Sequence, residues 1–313
     1  MNQPPILPSN QYPLGALPAR FRRERVLLIG CGDVGLRAAH AMRPRVRLLA
    51  LTSSPSRRDA LRERGITPLT GNLDQPGTLK RMAGLATRVL HLAPPPGEGS
   101  GDPRTVALMQ ALRRRSPPLS VTYGSTSGVY GDCAGAVVHE TRALQARTPR
   151  AQRRVEAERI LRYWGRASGV SVSLLRIPGI YAPDREGGTP RERLLKGTPV
   201  LQPSDDVYTN HIHADDLAQA CVTALWHGKA QRVYNVNDDS ALKMGDYFDL
   251  AADLYGLSRP QRISRAEATQ QLSPMLLSFM SESRRMDNTR MKRELGLKLR
   301  YPTVETGLSE KKD

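Results

Sequence analysis

Six consecutive residues carry the clearest chemistry in the chain: Gly30, Cys31, Gly32, Asp33, Val34 and Gly35, a GxGxxG turn. It follows the apolar run Val26-Leu27-Leu28-Ile29 and opens a segment, 33–42, with apolar residues at helical spacing. In that setting the first glycine makes the tight turn. The second lets the backbone approach a pyrophosphate, and the third lets helix and strand pack closely. The helix N-terminus then offers free N–H groups to the phosphates. About twenty residues on, an NAD site places an acid against the adenosine ribose. This chain has Leu51-Thr52-Ser53-Ser54, with no acid, followed by Arg57 and Arg58. Hydroxyls and guanidinium groups suit a 2′-phosphate. The expected cofactor is therefore NADP, with NAD as the alternative.

The elements that must position this turn follow from the alternation of apolar runs with amphipathic segments. Strands are expected at 26–29, 46–51, 66–69, 88–92, 119–123 and 170–175, with helices at 33–42, 60–64, 79–85, 106–115 and 150–167. Pro44 should stop the first helix, and Val155, Ile160 and Leu161 should point inward from the long one. β-α-β-α order predicts a doubly wound parallel sheet, a Rossmann α/β fold. Later segments are expected as helices at 215–226 and 244–255, a strand at 233–236, and a mixed helical stretch at 275–297. The reading has three parts: a flexible tail over 1–24, a dinucleotide-binding domain over 25–177 with later strands from 205–237, and a smaller C-terminal substrate lobe within 178–313.

Composition narrows the function classes. The 313 residues are 39% hydrophobic and 25% charged, enough for a packed core. No apolar run reaches the length of a membrane helix, and 1–20 lack a signal-peptide core, so the expected location is cytoplasmic and no membrane partner is expected. Cys31, Cys133 and Cys221 are far apart with no CxxC pair, which argues against a disulfide framework and a zinc site. His211 and His213 flank Ile212 and point oppositely if extended, so no metal pair is expected. His213 is expected to cap or pack near Asp216. The net charge of +17 is spread along the chain, with little aromatic interleaving. Nucleic acid is therefore not the expected partner. A small-molecule substrate is, and a homodimer is left open.

Several further segments fall in one order and spacing: Gly71-Asn72-Leu73, His91-Leu92-Ala93, the stretch from Gly124 to Gly131, Arg154 to Glu158, Leu175-Arg176 to Pro183, and Ile212 to Ala218. Over about residues 25–308 the chain resembles the extended short-chain dehydrogenase/reductases, the NAD-dependent epimerase/dehydratase family. It resembles an atypical branch, having GxGxxG where typical members have GxxGxxG. The family's Tyr-x-x-x-Lys is missing. Arg150 stands at the Tyr position and Arg154 at the Lys position.

The resemblance implies roles for particular residues. Thr126 falls at the catalytic Ser/Thr position, Asn72 against adenine, and Leu92, Ala93 and Pro94 where the chain passes the cofactor. Arg154 could bind the nicotinamide ribose. Arg150 cannot replace Tyr, because a guanidinium does not deprotonate in proteins. A solvated helix face remains an equal reading for both arginines. Tyr130 and Tyr181 are candidate replacement acids, and the candidate catalytic set is Thr126, Tyr130 and Arg154. The implied function is an NAD(P)-dependent oxidoreductase or epimerase/dehydratase-like enzyme. Its substrate would be small, hydroxylated or carbonyl-bearing and nucleotide-sugar-like. The alternative is a non-catalytic NADP(H) sensor that binds a protein partner.

Overall fold

A computed structural model describes residues 24–43 and 46–309. Residues 1–23 of the expected tail, and Pro44, lie outside the described residues.

The first half alternates as read from the sequence: β1 (Arg25–Ile29), α1 (Asp33–Met42), β2 (Arg47–Thr52), α2 (Arg57–Glu63), β3 (Thr67–Thr70), β4 (Arg88–His91), α3 (Pro103–Leu112), β5 (Ser120–Thr126), β6 (Val137–Val138), α4 (Pro149–Ser168) and β7 (Ser171–Ile177). The second half contains β8 (Gly179–Tyr181), α5 (Arg191–Leu195), β9 (Val200–Leu201), β10 (His211–His213), α6 (Ala214–His227), β11 (Arg232–Asn235), α7 (Met244–Tyr255), β12 (Arg262–Ile263), α8 (Arg265–Gln271), α9 (Pro274–Phe279), β13 (Arg285–Met286), α10 (Thr289–Leu295) and α11 (Val304–Leu308). Where an α-helix was expected at 79–85, Pro76–Met82 forms a 3-10 turn instead.

Seven parallel strands form the main sheet in the order β11-β7-β5-β4-β1-β2-β3. Val26, Leu27, Leu28 and Ile29 of β1 are each at most 1% exposed. Their burial contributes roughly 1.5–3 kcal/mol apiece. That is why a continuous apolar run marks a strand covered on both faces. One face packs on α1 and α6 through Ala38, Met42, Leu217 and Cys221, and the other on α3 and α4 through Leu108, Leu112, Leu161 and Trp164. On α4, Leu161 is buried while Val155 and Ile160 are half-buried. Thr148 caps this helix at Ala151 N–H, Pro149 occupies its first turn, and Gly169 ends it in the left-handed conformation.

Of the late segments only β11 joins the main sheet; β10 pairs with β8 instead. A separate apolar cluster gathers Leu194, Val200, Val207, Phe248, Ile263 and Leu308. By contrast, Met291 and Leu295 of α10, four residues apart on one face, join the core beside α6. The end of the chain thus contributes to both clusters.

Candidate functional site

Each glycine of the turn has a distinct steric surrounding. Gly30 has φ +88, and a Cβ there would lie 2.3 Å from the Ala93 backbone nitrogen. A Cβ on Gly35 would lie 2.8 Å from the Gly30 carbonyl oxygen. Both positions exclude side chains for packing reasons. At Gly32 a Cβ would meet nothing within 4 Å. This open backbone at the start of α1 is the cradle that a bound pyrophosphate would fill, so the turn fits a dinucleotide. Cys31 is buried, and burial raises its thiol pKa.

The end of β2 lies beside the turn. Thr52 Oγ1 accepts from Ser54 N–H, and the Ser54 and Ser56 hydroxyls lie 2.8 Å apart. Arg57 reaches back and donates from Nη2 to the Cys31 carbonyl at 2.5 Å. Arg58 is half-buried, with its Nε lacking a partner among the described residues. Ser53 is exposed. The Asn72 side-chain oxygen accepts from Asp74 N–H, while the Asn72 backbone N–H donates to Thr78 Oγ1.

Two clefts open at the carboxyl ends of the main strands, where ligands of doubly wound sheets bind. The smaller, ≈ 390 Å³, is walled by Val34, Leu92, Pro94, Gly124, Arg153 and Arg154 among others. The larger, ≈ 650 Å³, is walled by Arg193, Tyr208, Tyr247, Phe248 and Arg284 among others. Thr126, Arg150, Pro178 and Ile180 belong to both.

Thr126 ends β5 and accepts from Gly128 N–H at 3.3 Å. Arg154 donates from Nη1 to the Gly124 carbonyl at 2.7 Å and to the Tyr123 hydroxyl at 3.0 Å, with its guanidinium over the Tyr123 ring. Arg154 is therefore no solvated helix residue. Arg150, one turn earlier on α4, is exposed. Burial pushes the Tyr123 phenol up to about 12 and the His91 imidazole down to about 3. Both groups stay neutral near pH 7. His91 Nε2 lies 3.1 Å from the Thr105 hydroxyl, which donates to Asp102.

Tyr130 requires a correction. It is fully buried, lines neither cleft, and donates its hydroxyl to Asn235 Oδ1 at 2.6 Å. Its phenol is raised chiefly by burial, and Arg176 lies over its ring. A hydroxyl enclosed in this way cannot reach a substrate. Tyr181 does line the larger cleft, but its hydroxyl donates to the Thr303 carbonyl at 3.2 Å and burial raises its pKa strongly.

Much of the spaced motif set serves to hold β5 in place. Arg176 of β7 grips Glu158 of α4 through Nε at 3.1 Å and Nη2 at 2.8 Å. Ser125 donates to the same carboxylate at 2.6 Å, one residue before Thr126. The positions of Thr126, Arg150 and Arg154 are thus tied together through one buried ion pair.

The sequence reading missed Arg153, which is buried and donates to the Gly99 carbonyl at 2.8 Å, pinning the loop after β4 beside the smaller cleft. It also missed Arg193 and Arg284. Adjacent arginines look alike in a linear string, and no spacing rule separates the buried one. His213 caps α6 at Asp215 N–H, two residues from β10's start, and Asp216 accepts from the Arg300 and Tyr301 N–H groups. Among the described residues no group of three metal-ligating side chains forms, no cysteine is in a disulfide, and no helix is long and apolar enough to cross a membrane.

The profile of the NAD dependent epimerase/dehydratase family matches residues 34–237, more than half of the chain. The chain belongs to that family. Within it, GDP-6-deoxy-D-mannose reductase of Pseudomonas aeruginosa is 29% identical over 180 residues, covering 52% of this chain and 59% of that protein. An uncharacterized protein of Mycobacterium tuberculosis is 27% identical over 212 residues, covering 63% and 55%. The chain thus spans less than two thirds of the length of these curated relatives. A functionally unknown conserved protein from Silicibacter pomeroyi is similar along nearly its whole length: 30% identity, 91% of this chain, 97% of that one, TM-score 0.76. Thermus thermophilus UDP-glucose 4-epimerase, solved with NAD, shares the fold at 20% identity and a TM-score of 0.71, over 91% of this chain and 96% of that one.

Proposed function

We propose that this family member is an NADP(H)-preferring oxidoreductase or epimerase of a small hydroxylated or carbonyl substrate, working without the family's Tyr-Lys pair. The observation that carries the reading is the wall shared by the two clefts: Thr126, Arg150, Pro178 and Ile180. A ligand in the smaller cleft and one in the larger meet there. In this reading residues 25–177 with β11 hold the cofactor, and much of the rest walls the substrate. The named relatives support a nucleotide-sugar-like compound.

When bound, the nicotinamide supplies or accepts the hydride. The chain's own residues do the rest. Gly30, Gly32 and Gly35 seat the pyrophosphate, with Cys31, Asp33 and Val34 completing the turn. Ser53, Ser54, Arg57 and Arg58 receive the 2′-phosphate beside Thr52, Asn72 faces the adenine, and Leu92, Ala93 and Pro94 flank the nicotinamide half. Arg154 offers the ribose those guanidinium nitrogens that Gly124 and Tyr123 do not use. Thr126 donates its hydroxyl to the substrate oxygen at which charge develops. Arg150 stabilises that charge electrostatically but cannot hand over a proton, so the proton comes from water reaching the cleft.

Calorimetric titration with NADPH and NADH tests the cofactor. Tighter NADPH binding is expected, weakened by about 1–3 kcal/mol in Arg57→Ala/Arg58→Ala. Equal affinities for the two cofactors would remove the preference. A second reading is favoured by Arg150 itself, which replaces the acid: a non-catalytic NADP(H) sensor acting through a protein partner. NADPH binding without turnover across a carbonyl and nucleotide-sugar panel would select it.

A further inference from the structure

Five charged side chains from three parts of the chain meet at the glycine turn. Arg37 of α1 donates to Asp33 at 3.0 Å, to Asp184 at 2.7 Å and to Asp215 at 2.6 Å. Arg185 Nε lies 3.4 Å from the other Asp33 oxygen. Asp33 belongs to the turn itself and Asp215 to the first turn of α6, while Asp184 and Arg185 stand in the loop between β8 and α5. Two guanidinium groups thus face three carboxylates, and their links differ in quality. Arg37 uses a separate nitrogen for each of its three acids. The link from Arg185 is an ion contact only: Asp33 Oδ2 is buried and makes no hydrogen bond among the described residues.

The loop that carries Asp184 and Arg185 is a closed unit. Ala182 N–H donates to the Gly188 carbonyl at 3.2 Å, Arg185 N–H to the Ala182 carbonyl at 3.2 Å, and Gly188 N–H to the Arg185 carbonyl at 2.9 Å. A Cβ on Gly188 would lie 2.6 Å from the Ala182 oxygen, so the loop closes this tightly only around a glycine. Its later residues, Gly187 to Pro190, line the larger cleft. Arg185 also donates from Nη1 to the Ile180 carbonyl at 2.9 Å, and Ile180 lines both clefts. Asp33 and the wall of the larger cleft are therefore joined by one short, internally bonded loop.

A dinucleotide brings negative phosphates to the N-terminus of α1, where Asp33 already places a carboxylate. Like charges held this close repel unless a guanidinium stands between them. Releasing Arg37 would break three hydrogen bonds, whereas Arg185 leaves Asp33 at the loss of one ion contact. Arginine takes phosphate oxygens through charged hydrogen bonds. We propose that Arg185 changes hands when the cofactor is seated, from Asp33 to the pyrophosphate, and that the 182–190 loop follows it and firms the wall of the larger cleft. The proposal rests on the glycine turn holding a dinucleotide. It makes Arg185 a cofactor-binding residue and couples the two clefts through the loop.

The test combines calorimetric titration of the full chain with NADPH and NADH and hydrogen–deuterium exchange of residues 182–190. Arg185→Gln should weaken whichever dinucleotide binds by about tenfold, and both by the same factor, because both carry the same pyrophosphate. Arg185→Lys should recover part of the loss. Asp33→Asn should bind at least as tightly as the unmodified chain, since it releases Arg185 and removes the repelling charge. A merely structural cluster would instead weaken binding in both variants. Saturating cofactor should slow exchange in 182–190 of the unmodified chain and leave it unchanged in Arg185→Gln. Arg185→Lys and Asp33→Asn carry the comparison if Arg185→Gln does not fold. The proposal is overturned if Arg185→Gln binds as tightly as the unmodified chain, if Asp33→Asn binds much more weakly, or if exchange in 182–190 ignores the cofactor. Failure of both dinucleotides to bind the unmodified chain sinks the cofactor reading and this proposal with it; binding without these responses sinks this proposal alone.

Discussion

Two arginines, Arg176 and Arg193, mark opposite solutions to burying a positive charge. Arg176 is 2% exposed and satisfied on every side: two bonds to Glu158, one to the Glu140 carbonyl, and a tyrosine ring beneath it. Arg193 is half-buried, rests on a phenylalanine and faces no acid among the described residues. The difference separates scaffold from cleft. A buried ion pair with all its hydrogen bonds made holds elements in register. A polar group left unmade at a cavity wall suits a partner that arrives from solution.

Breaking the scaffold should have the largest effect. Glu158→Ala leaves Arg176 buried and uncompensated, and should cost about 3–5 kcal/mol in denaturant unfolding. A loss under 1 kcal/mol would mean that water reaches Arg176 and that the contrast is overstated. Tyr130→Phe removes the bond to Asn235 and should cost about 1–3 kcal/mol, while turnover and its pH profile stay as they were. A profile that loses a limb would return Tyr130 to the chemistry.

Asp238 tests an intermediate case. One oxygen accepts from Ser240 N–H at 3.0 Å and the other lacks a partner among the described residues. Burial pushes this carboxyl from 3.8 up to about 8. Between those values the folded chain holds a proton that the unfolded chain has lost, so stability should fall as pH rises from about 4 to about 8. Asp238→Asn should flatten that slope, and its stability relative to the unmodified chain should rise between pH 5 and pH 8 by roughly 3–4 kcal/mol, about 1.4 kcal/mol per pH unit. An unchanged slope would assign the pH dependence elsewhere. The smallest change is expected for Arg193→Met, whose unfolding free energy should move by less than about 0.5 kcal/mol or increase, because it removes a half-buried charge whose Nε and Nη2 find no hydrogen-bond partner among the described residues, while the methionine keeps an apolar contact to Phe248.

Much of the fold was legible because parallel sheets bury both faces. Runs such as Val26 to Ile29 then read as strands, and α1 and α7 match their expected bounds, 33–42 and 244–255. The misreadings have local causes. The helix expected at 79–85 is a 3-10 turn beginning at Pro76. Of the strands expected to join the sheet from 205–237, β10 pairs outside it with β8. Its three residues match the periodicity of a strand but carry nothing that names a partner.

Spacing along the chain was enough to locate the glycine turn, the missing acid at Thr52 to Ser54, and the arginines at 150 and 154. These depend on neighbours within one or two elements, where periods of 2 and 3.6 residues determine which way a side chain faces. Packing alone decided that Tyr130 is fully buried and lines neither cleft, and that Arg153 is buried between exposed Gln152 and half-buried Arg154. It also brought Arg193 of α5 to the same cavity as Thr209 and His211 near β10. Such meetings are set by how distant elements dock, and docking depends on the shapes of whole surfaces, which no local pattern encodes.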